Sequence, residues 1–318
     1  MKKIVALLCA AVMLLSLAAC QSGGKKDKFV VGICQLVPHP ALDAATEGFM
    51  DALKEALGED KVEFKVQDAA GDSNTCATIA NGFVADKVDL IMANATPALQ
   101  AAAAATKDIP ILGTSVTEYG VALGISGFTG TVGTNVSGTS DLAPLDRQAD
   151  MILEWFPETK NVGLLYCSGE PNSQYQVDTV KGFLEAKGIT CTLYPFADSN
   201  DLAAVTQKAC DTSDVIYVPT DNAAANATGI VDGICSAAGV PIIAGEEGIC
   251  AGCGVATLSI SYYDLGVATG KMAAQILKGE ADISTMPIGY AENVTPKYNA
   301  AICDRLGLTP LEGYEAIG

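Results

Sequence analysis

The same order of strand and helix patterns runs through this chain twice, and few architectures accept such a series. Phe29-Val30-Val31-Gly32-Ile33-Cys34 is a short β-branched run. Leu42, Ala45, Phe49, Leu53 and Leu57 then recur at helical spacing, which predicts a helix from about residue 40 to 57. Val62-Glu63-Phe64-Lys65-Val66 alternates as a strand, a helix follows to about residue 85, and Val88-Asp89-Leu90-Ile91-Met92-Ala93 reads as a buried strand. Thr96-Pro97 opens an alanine-rich helix over 98–105, with Thr96 suited to the N-cap and Pro97 to the first turn. Ile109-Pro110-Ile111-Leu112-Gly113 is the fourth strand.

The series then returns. Asn161-Val162-Gly163-Leu164-Leu165-Tyr166 corresponds to the first strand, a helix through Gly182-Phe183-Leu184-Glu185 to the first helix, and 189–193 to the second strand. Asp214-Val215-Ile216 follows Asp89-Leu90-Ile91 by 125 residues, and Pro241-Ile242 follows Pro110-Ile111 by 131. Any doubly wound fold repeats strand–helix units, but here both order and spacing persist. Strands alternating with helices build a parallel sheet covered on both faces. The expected fold is therefore α/β with two doubly wound parallel-sheet lobes. The chain is 318 residues long and 49% hydrophobic, enough for two cores.

Composition removes several function classes. Lys and Arg total 19 against 37 Asp and Glu, and a net charge of −18 repels a phosphate backbone, so no nucleic-acid partner is expected. His39 is the only histidine, which deprives most acid–base and zinc schemes of their usual residue. No G-x-S-x-G, H-E-x-x-H, Walker loop or complete G-x-G-x-x-G occurs, and Gly252-Cys253-Gly254 lacks the third glycine. Neither an enzyme nor a cofactor or metal is expected.

In open parallel sheets ligands bind beyond the carboxyl ends of the strands, among helix N-termini. The loops there span 36–43, 69–74, 94–97, 115–118, 168–173, 220–222 and 245–248, and they are polar. They pool Thr, Ser and Asn donors with the carboxylates of Glu170, Asp221 and Glu246. That set suits a zwitterion: N–H groups and hydroxyls for a carboxylate, an acid for an ammonium. Asp221 is the expected ammonium partner. Ser173, Asn222 and Asn74 serve equally well as caps or turn formers. His39, between two prolines after the first strand, is read as lining the mouth of the cleft, with a solvated loop as its alternative.

Lys2 and Lys3 precede an apolar run over 4–19 that fits a secretory leader and is short for a membrane span. The run ends in Leu17-Ala18-Ala19-Cys20, which resembles a bacterial lipobox. That resemblance implies acylation at Cys20 and a lipid anchor on the outer face of the cytoplasmic membrane. Residues 1–19 are then the leader and 20–28 a flexible tether. Setting aside Cys9 and Cys20 leaves nine of the 11 cysteines, an odd and scattered set. Cys34 and Cys167 sit in apolar runs and read as core packing. Cys250-Ala251-Gly252-Cys253 has no second pair or nearby histidine, and is assigned no function.

Six stretches together resemble the ABC transporter substrate-binding proteins of the tryptophan/tyrosine-binding type. They are His39-Pro40-Ala41-Leu42-Asp43, Ala95-Thr96-Pro97-Ala98, Asn135-Val136-Ser137-Gly138-Thr139-Ser140-Asp141, Ser168-Gly169-Glu170-Pro171-Asn172-Ser173, Pro219-Thr220-Asp221-Asn222 and Ser261-Tyr262-Tyr263-Asp264-Leu265-Gly266. The resemblance implies the type I periplasmic-binding-protein fold, two lobes joined by three crossover segments that close on a ligand. Crossings are expected near Asp141, Ser259 and 287–293. One lobe would comprise 29–141 with about 260–288, and the other 142–259 with about 289–318.

It further implies an aromatic or related amino acid, its backbone held by 137–141 and 220–222. The implied ligand-binding residues are His39, Asp43, Thr96, Pro97, Thr117, Ser137, Gly138, Thr139, Ser140, Asp141, Ser168, Glu170, Asn172, Ser173, Thr220, Asp221, Asn222 and Glu246. Residues 143–156 would be the first helix after the crossing, with Trp155, the only tryptophan, anchoring a core rather than stacking on ligand. Gly169 and Glu246-Glu247-Gly248 depart from the family pattern. An ABC permease with its ATPase is the implied partner of a monomeric chain. A receptor feeding a membrane sensor, or a sugar or nucleoside as cargo, is the alternative. Sugar sites want aromatic platforms and arginine, which is scarce here.

Overall fold

A computed structural model describes residues 28–291 and 293–317; the leader and Cys20 lie outside the described residues. The first half runs β1 (Phe29–Gln35), α1 (Pro40–Leu57), β2 (Val62–Asp68), α2 (Ser73–Ala85), β3 (Leu90–Asn94), α3 (Thr96–Ala105), β4 (Ile111–Val116), α4 (Tyr119–Leu123) and β5 (Val136–Ser140). The second runs α5 (Leu145–Trp155), β6 (Asn161–Cys167), α6 (Pro171–Ala186), β7 (Thr190–Phe196), α7 (Ser199–Cys210), β8 (Val215–Val218), α8 (Asn222–Ala225), α9 (Thr228–Ala238), β9 (Ile242–Ala244), α10 (Glu247–Cys253) and β10 (Ala256–Ser259). The chain ends with α11 (Tyr262–Leu277), β11 (Gly289–Tyr290), β12 (Thr295–Tyr298), α12 (Ala300–Leu306) and β13 (Glu315–Ala316).

Two sheets result, ordered β11-β5-β4-β3-β1-β2 and β13-β12-β10-β9-β8-β6-β7. Apart from the late strands, the orders are identical under the substitution of β6 to β10 for β1 to β5. Each sheet reverses direction of winding between its first and third strands, and a crevice opens there at the carboxyl ends. Strands β3 and β4 are buried along their whole length, as expected of a sheet covered on both faces. The sheets are otherwise parallel, but β12 pairs antiparallel to β10. It enters from the opposite end after a crossing, so the second sheet is mixed rather than wholly parallel.

The chain passes from one sheet to the other after β5, returns after β10 through α11, and passes again between Tyr290 and Thr295. β11 still pairs with β5, so the third passage begins later than residue 288. Trp155 is 7% exposed and packs edge-on to Tyr314, with ring centroids 5.3 Å apart, inside the second lobe's core. The N-cap of α3 is Ala95, at φ 89°, and Thr96 lies inside the helix instead of capping it.

α1 and α11 lie side by side on the first sheet, and glycines set how close they come. A Cβ built on Gly48 would stand 2.1 Å from the Tyr263 carbonyl oxygen, and one on Gly266 2.1 Å from that of Ala45. Backbone, unlike a long side chain, cannot swing aside. Gly48→Val is therefore expected to cost at least the upper end of the usual overpacking range, about 3 kcal/mol. Urea unfolding reads this directly, and a midpoint equal to the parent's would show that the helices part freely.

Candidate functional site

The carboxyl ends of both sheets face one cavity lined by His39, Leu42, Ser115, Thr117, Asp141, Asn172, Thr220, Asp221, Asn222, Glu246, Ala225 and Tyr262. The two lobes touch at its rim, where His39 Nε2 lies 3.3 Å from Asn222 Oδ1. His39 is the N-cap residue of α1, held extended by the proline that starts the helix, so its ring points across the cleft.

Asp141, Asp221 and Glu246 line the cavity and Glu170 lies beside it against Asn222, and these four buried carboxylates do different work. Both oxygens of Asp221 are engaged: Oδ2 accepts the Cys167 N–H at 2.6 Å and Oδ1 the Ala224 N–H at 2.8 Å. Glu170 accepts the Asn222 and Ala223 N–H groups at 3.1 and 2.9 Å, and the Asn222 side-chain amide at 2.7 Å. Glu246 caps α10 through the N–H groups of Gly248 and Ile249. Asp141 differs. Its Oδ2 accepts the Tyr262 hydroxyl at 2.9 Å, while Oδ1 takes no hydrogen bond, although the Thr117 hydroxyl lies near enough to favour the charged form. Ser115 Oγ and Asn172 Oδ1, also at the cavity, are buried without a partner. Ser115 holds φ +54°, a left-handed conformation that non-glycine residues adopt at a cost and that turns it out of the strand.

Both oxygens of Asp221 thus serve backbone amides, whereas Asp141 Oδ1 takes no hydrogen bond. Of the other expected residues, His39, Thr117, Asn172, Thr220, Asn222 and Glu246 line the cavity. The rest are placed elsewhere. Asp43 accepts the Gln35 amide beside Thr46 and Glu47, outside the cavity. Ser137 donates to the Met286 carbonyl, Thr139 shares hydroxyl bonds with Thr114 and Thr269, and Gly138 packs on Gly113 and Tyr119. Ser140 donates to the Thr117 carbonyl and so holds the neighbouring loop. Ser168 donates to the Phe196 carbonyl, and Ser173 accepts from Asn172. Thr96 is buried at the start of α3, while Pro97 and Glu170 line a larger groove between the lobes. Leu42 and Ser115 fall in loops expected to form the site and Tyr262 in a stretch that carries the resemblance, though none is among the implied ligand-binding residues; Ala225 lies outside all of these.

No Lys or Arg lines the cavity, and the described ion pairs all lie among partly exposed side chains. Burial therefore acts on the acids unopposed by a cation. It pushes Glu246 up to about 7 and, with the charge of Glu170, Asp221 up to about 7; Asp141 is raised too. Burial lowers His39 against the opposing pulls of Asn222 and Asp43. Among the described residues no cluster suited to a metal ion occurs, and no helix is long and apolar enough to cross a membrane.

Residues 30–313 match the family model described as ABC transporter substrate binding protein. A tyrosine-binding protein of Clostridioides difficile is 36% identical over 270 residues, covering 84% of this chain and 77% of that one. A solved ABC domain in complex with L-Trp from Streptococcus pneumonia is 32% identical, with a TM-score of 0.86 over 91% of this chain and all of that one. A ligand-free, open substrate-binding protein with adhesive properties from Clostridium difficile is 37% identical, with a TM-score of 0.70 over 91% of this chain and 99% of that one. The relative with the higher identity gives the lower TM-score of these two structures.

The raised acids fix a pH dependence. Carboxyls that bind protons near 7 when folded and only near 4 when unfolded give the folded state more protons in between. Stability from this source is present at low pH and is lost as pH rises through about 7. His39 has the opposite sign below 6.5, but it is one group against several. The ligand-free protein should melt several degrees higher at pH 5.5 than at pH 8, and Glu246→Gln should narrow that difference. Scanning fluorimetry checks it, and a midpoint lower at pH 5.5 than at pH 8 would contradict the burial of these acids.

Proposed function

The chain belongs to the ABC transporter substrate-binding proteins, and we propose that it binds an aromatic amino acid between its lobes and delivers it to an ABC importer. The carrying observation is Asp141: a buried carboxylate with one free oxygen, facing a cavity that has no cation. An unpaired buried charge is costly, and a ligand ammonium at Oδ1 removes that cost. The termini of α8 and α10 are already capped by carboxylates. This leaves the first turns of α1 and α6, which have no side-chain cap and whose Leu42 and Asn172 line the cavity, for the ligand's carboxylate. Ser115 Oγ and Asn172 Oδ1 supply further unused hydrogen-bonding capacity. Leu42 and Tyr262 give the cavity its apolar lining.

What the relatives bind supports the cargo: one is a tyrosine-binding protein and another was solved with L-Trp. The family binds solutes, and nothing in the cavity pairs a nucleophile with a base, so we read the chain as non-catalytic. The apolar run over 4–19 and the Leu17-Ala18-Ala19-Cys20 sequence support export and lipidation at Cys20, with the folded part held at the outer face of the membrane. In that place a monomer carrying solute to a permease needs no cofactor.

The test is titration calorimetry with L-tyrosine, L-tryptophan, L-phenylalanine, a branched amino acid, a hexose and a nucleoside. Binding of an aromatic amino acid and no response to the hexose or nucleoside is expected; response only to the latter pair would overturn the cargo. Asp141→Asn keeps the shape and removes the charge, and should weaken binding by 100-fold or more, on the order of 3 kcal/mol. An unchanged dissociation constant in a normally folded variant would remove Asp141 from the site.

A further inference from the structure

Five cysteines gather in one core cluster of the second lobe: Cys167, Cys210, Cys235, Cys250 and Cys253. All described cysteines are free thiols. Cys250 and Cys253, although close in sequence, each turn to a carbonyl of their own helix region, Gly254 at 3.5 Å and Ile249 at 3.3 Å. Cys210 and Cys235 instead face each other, with sulfurs 3.5 Å apart, where the last residue of α7 meets the later half of α9.

We propose that Cys210 and Cys235 are a disulfide-forming pair that closes when the chain meets a small-molecule disulfide. A disulfide needs the sulfurs at about 2.05 Å, a step from the present separation that modest side-chain rotations supply without moving a helix. Both residues lie on helices already packed together, so the ends are held for reaction. Cys210 is 8% exposed and Cys235 2%, so Cys210 offers the sulfur for first attack. Burial pushes both thiols up from their ordinary value; their mutual hydrogen bond partly offsets this at Cys210 and adds to it at Cys235. Cys34 and Cys76 also share a thiol hydrogen bond, but both are wholly buried and closed to an oxidant.

With oxidised glutathione the balance is complete. The Cys210 thiolate attacks one glutathione sulfur, forming a mixed disulfide and releasing one glutathione thiolate. The Cys235 thiolate then attacks Cys210 Sγ, forming the protein disulfide and releasing the second glutathione thiolate. The two protons lost by the cysteines end on the two glutathiones; two protein thiols are oxidised and one external disulfide is reduced. The bond would close a loop across 25 residues and tie α7 to α9. α9 follows directly on α8, which carries Asn222 and Ala225 at the cavity. The brace therefore supports the cleft wall without touching the ligand. An exported chain meets such disulfides, yet the chemistry does not depend on that location.

The test uses the full chain incubated with oxidised glutathione, alkylated, digested and mapped by mass spectrometry. One crosslinked peptide pair joining Cys210 to Cys235, lighter by two hydrogens, is expected, with Cys34 and Cys76 alkylated. The oxidised protein should melt roughly 5–10 °C above its dithiothreitol-treated form, and Cys235→Ser should lose that difference. Alkylation of both Cys210 and Cys235 after treatment, or a crosslink to Cys253 instead, would overturn the proposal. Mapping of the parent protein decides the matter alone if the variant does not fold.

Discussion

Asp141 stands where the duplication of the chain, the hinge and the chemistry of the cleft meet. It follows β5 directly, so it sits on the first passage between lobes, and it is bonded to Tyr262, which opens α11 just after the second passage. Two hinge segments are thereby tied through one carboxylate. The carboxylate is buried, and the hydroxyl of Tyr262 satisfies only half of it. Exposing it by opening the lobes restores hydration, whereas keeping it buried requires a positive group. On the proposed reading a cationic ligand favours closure, because it pairs a carboxylate that burial otherwise pushes towards its protonated form.

The other three acids show how the same residue type builds a wall instead of a binding point. α8 is four residues long, far below the length at which a helix holds itself together. It persists because Glu170 and Asp221 take the N–H groups of Asn222, Ala223 and Ala224, each bond being charge-assisted. Asp221 also reaches the Cys167 N–H at the end of β6, which fixes the loop to the sheet. The consequence is a rigid rim from which Asn222 extends towards His39. The raised proton affinities of Asp221 and Glu246 are the cost of drawing acids into one dry region, and they belong to folding as much as to function.

Much of this was legible in the residues. The helical spacing of Leu42, Phe49 and Leu53 and the repeated strand runs located β1 to β4 and β6 to β9, because buried faces leave a periodic trace, but not β5, β10, β11 or β13. β12 left none: it is four residues long, half-buried, and its direction is set by a crossing rather than by its side chains. Within the site, the polar loops were correctly gathered at one edge, yet Asp221 and Asp141 could not be ranked. A carboxylate that caps amides and one that awaits a ligand have the same sequence signature; only the count of hydrogen bonds separates them. Ser115 lies in a loop expected at the site, but its left-handed conformation has no glycine to announce it. Ser137 and Thr139 look like ligand donors until their hydroxyls are seen bonded within the first lobe.

Closure itself rests on little direct contact at the mouth. The His39–Asn222 pair is a single neutral bond, worth about 1 kcal/mol net in a typical setting. Apolar contact lies mainly on the hinge side, where Ala41, Ala45, Tyr262 and Leu265 join the second lobe's core. A weak latch opposite a well-packed hinge gives an equilibrium that small differential affinities shift. On the proposed reading, a ligand bridging Asp141 and the helix starts of both lobes would favour the closed form alone and shift that balance.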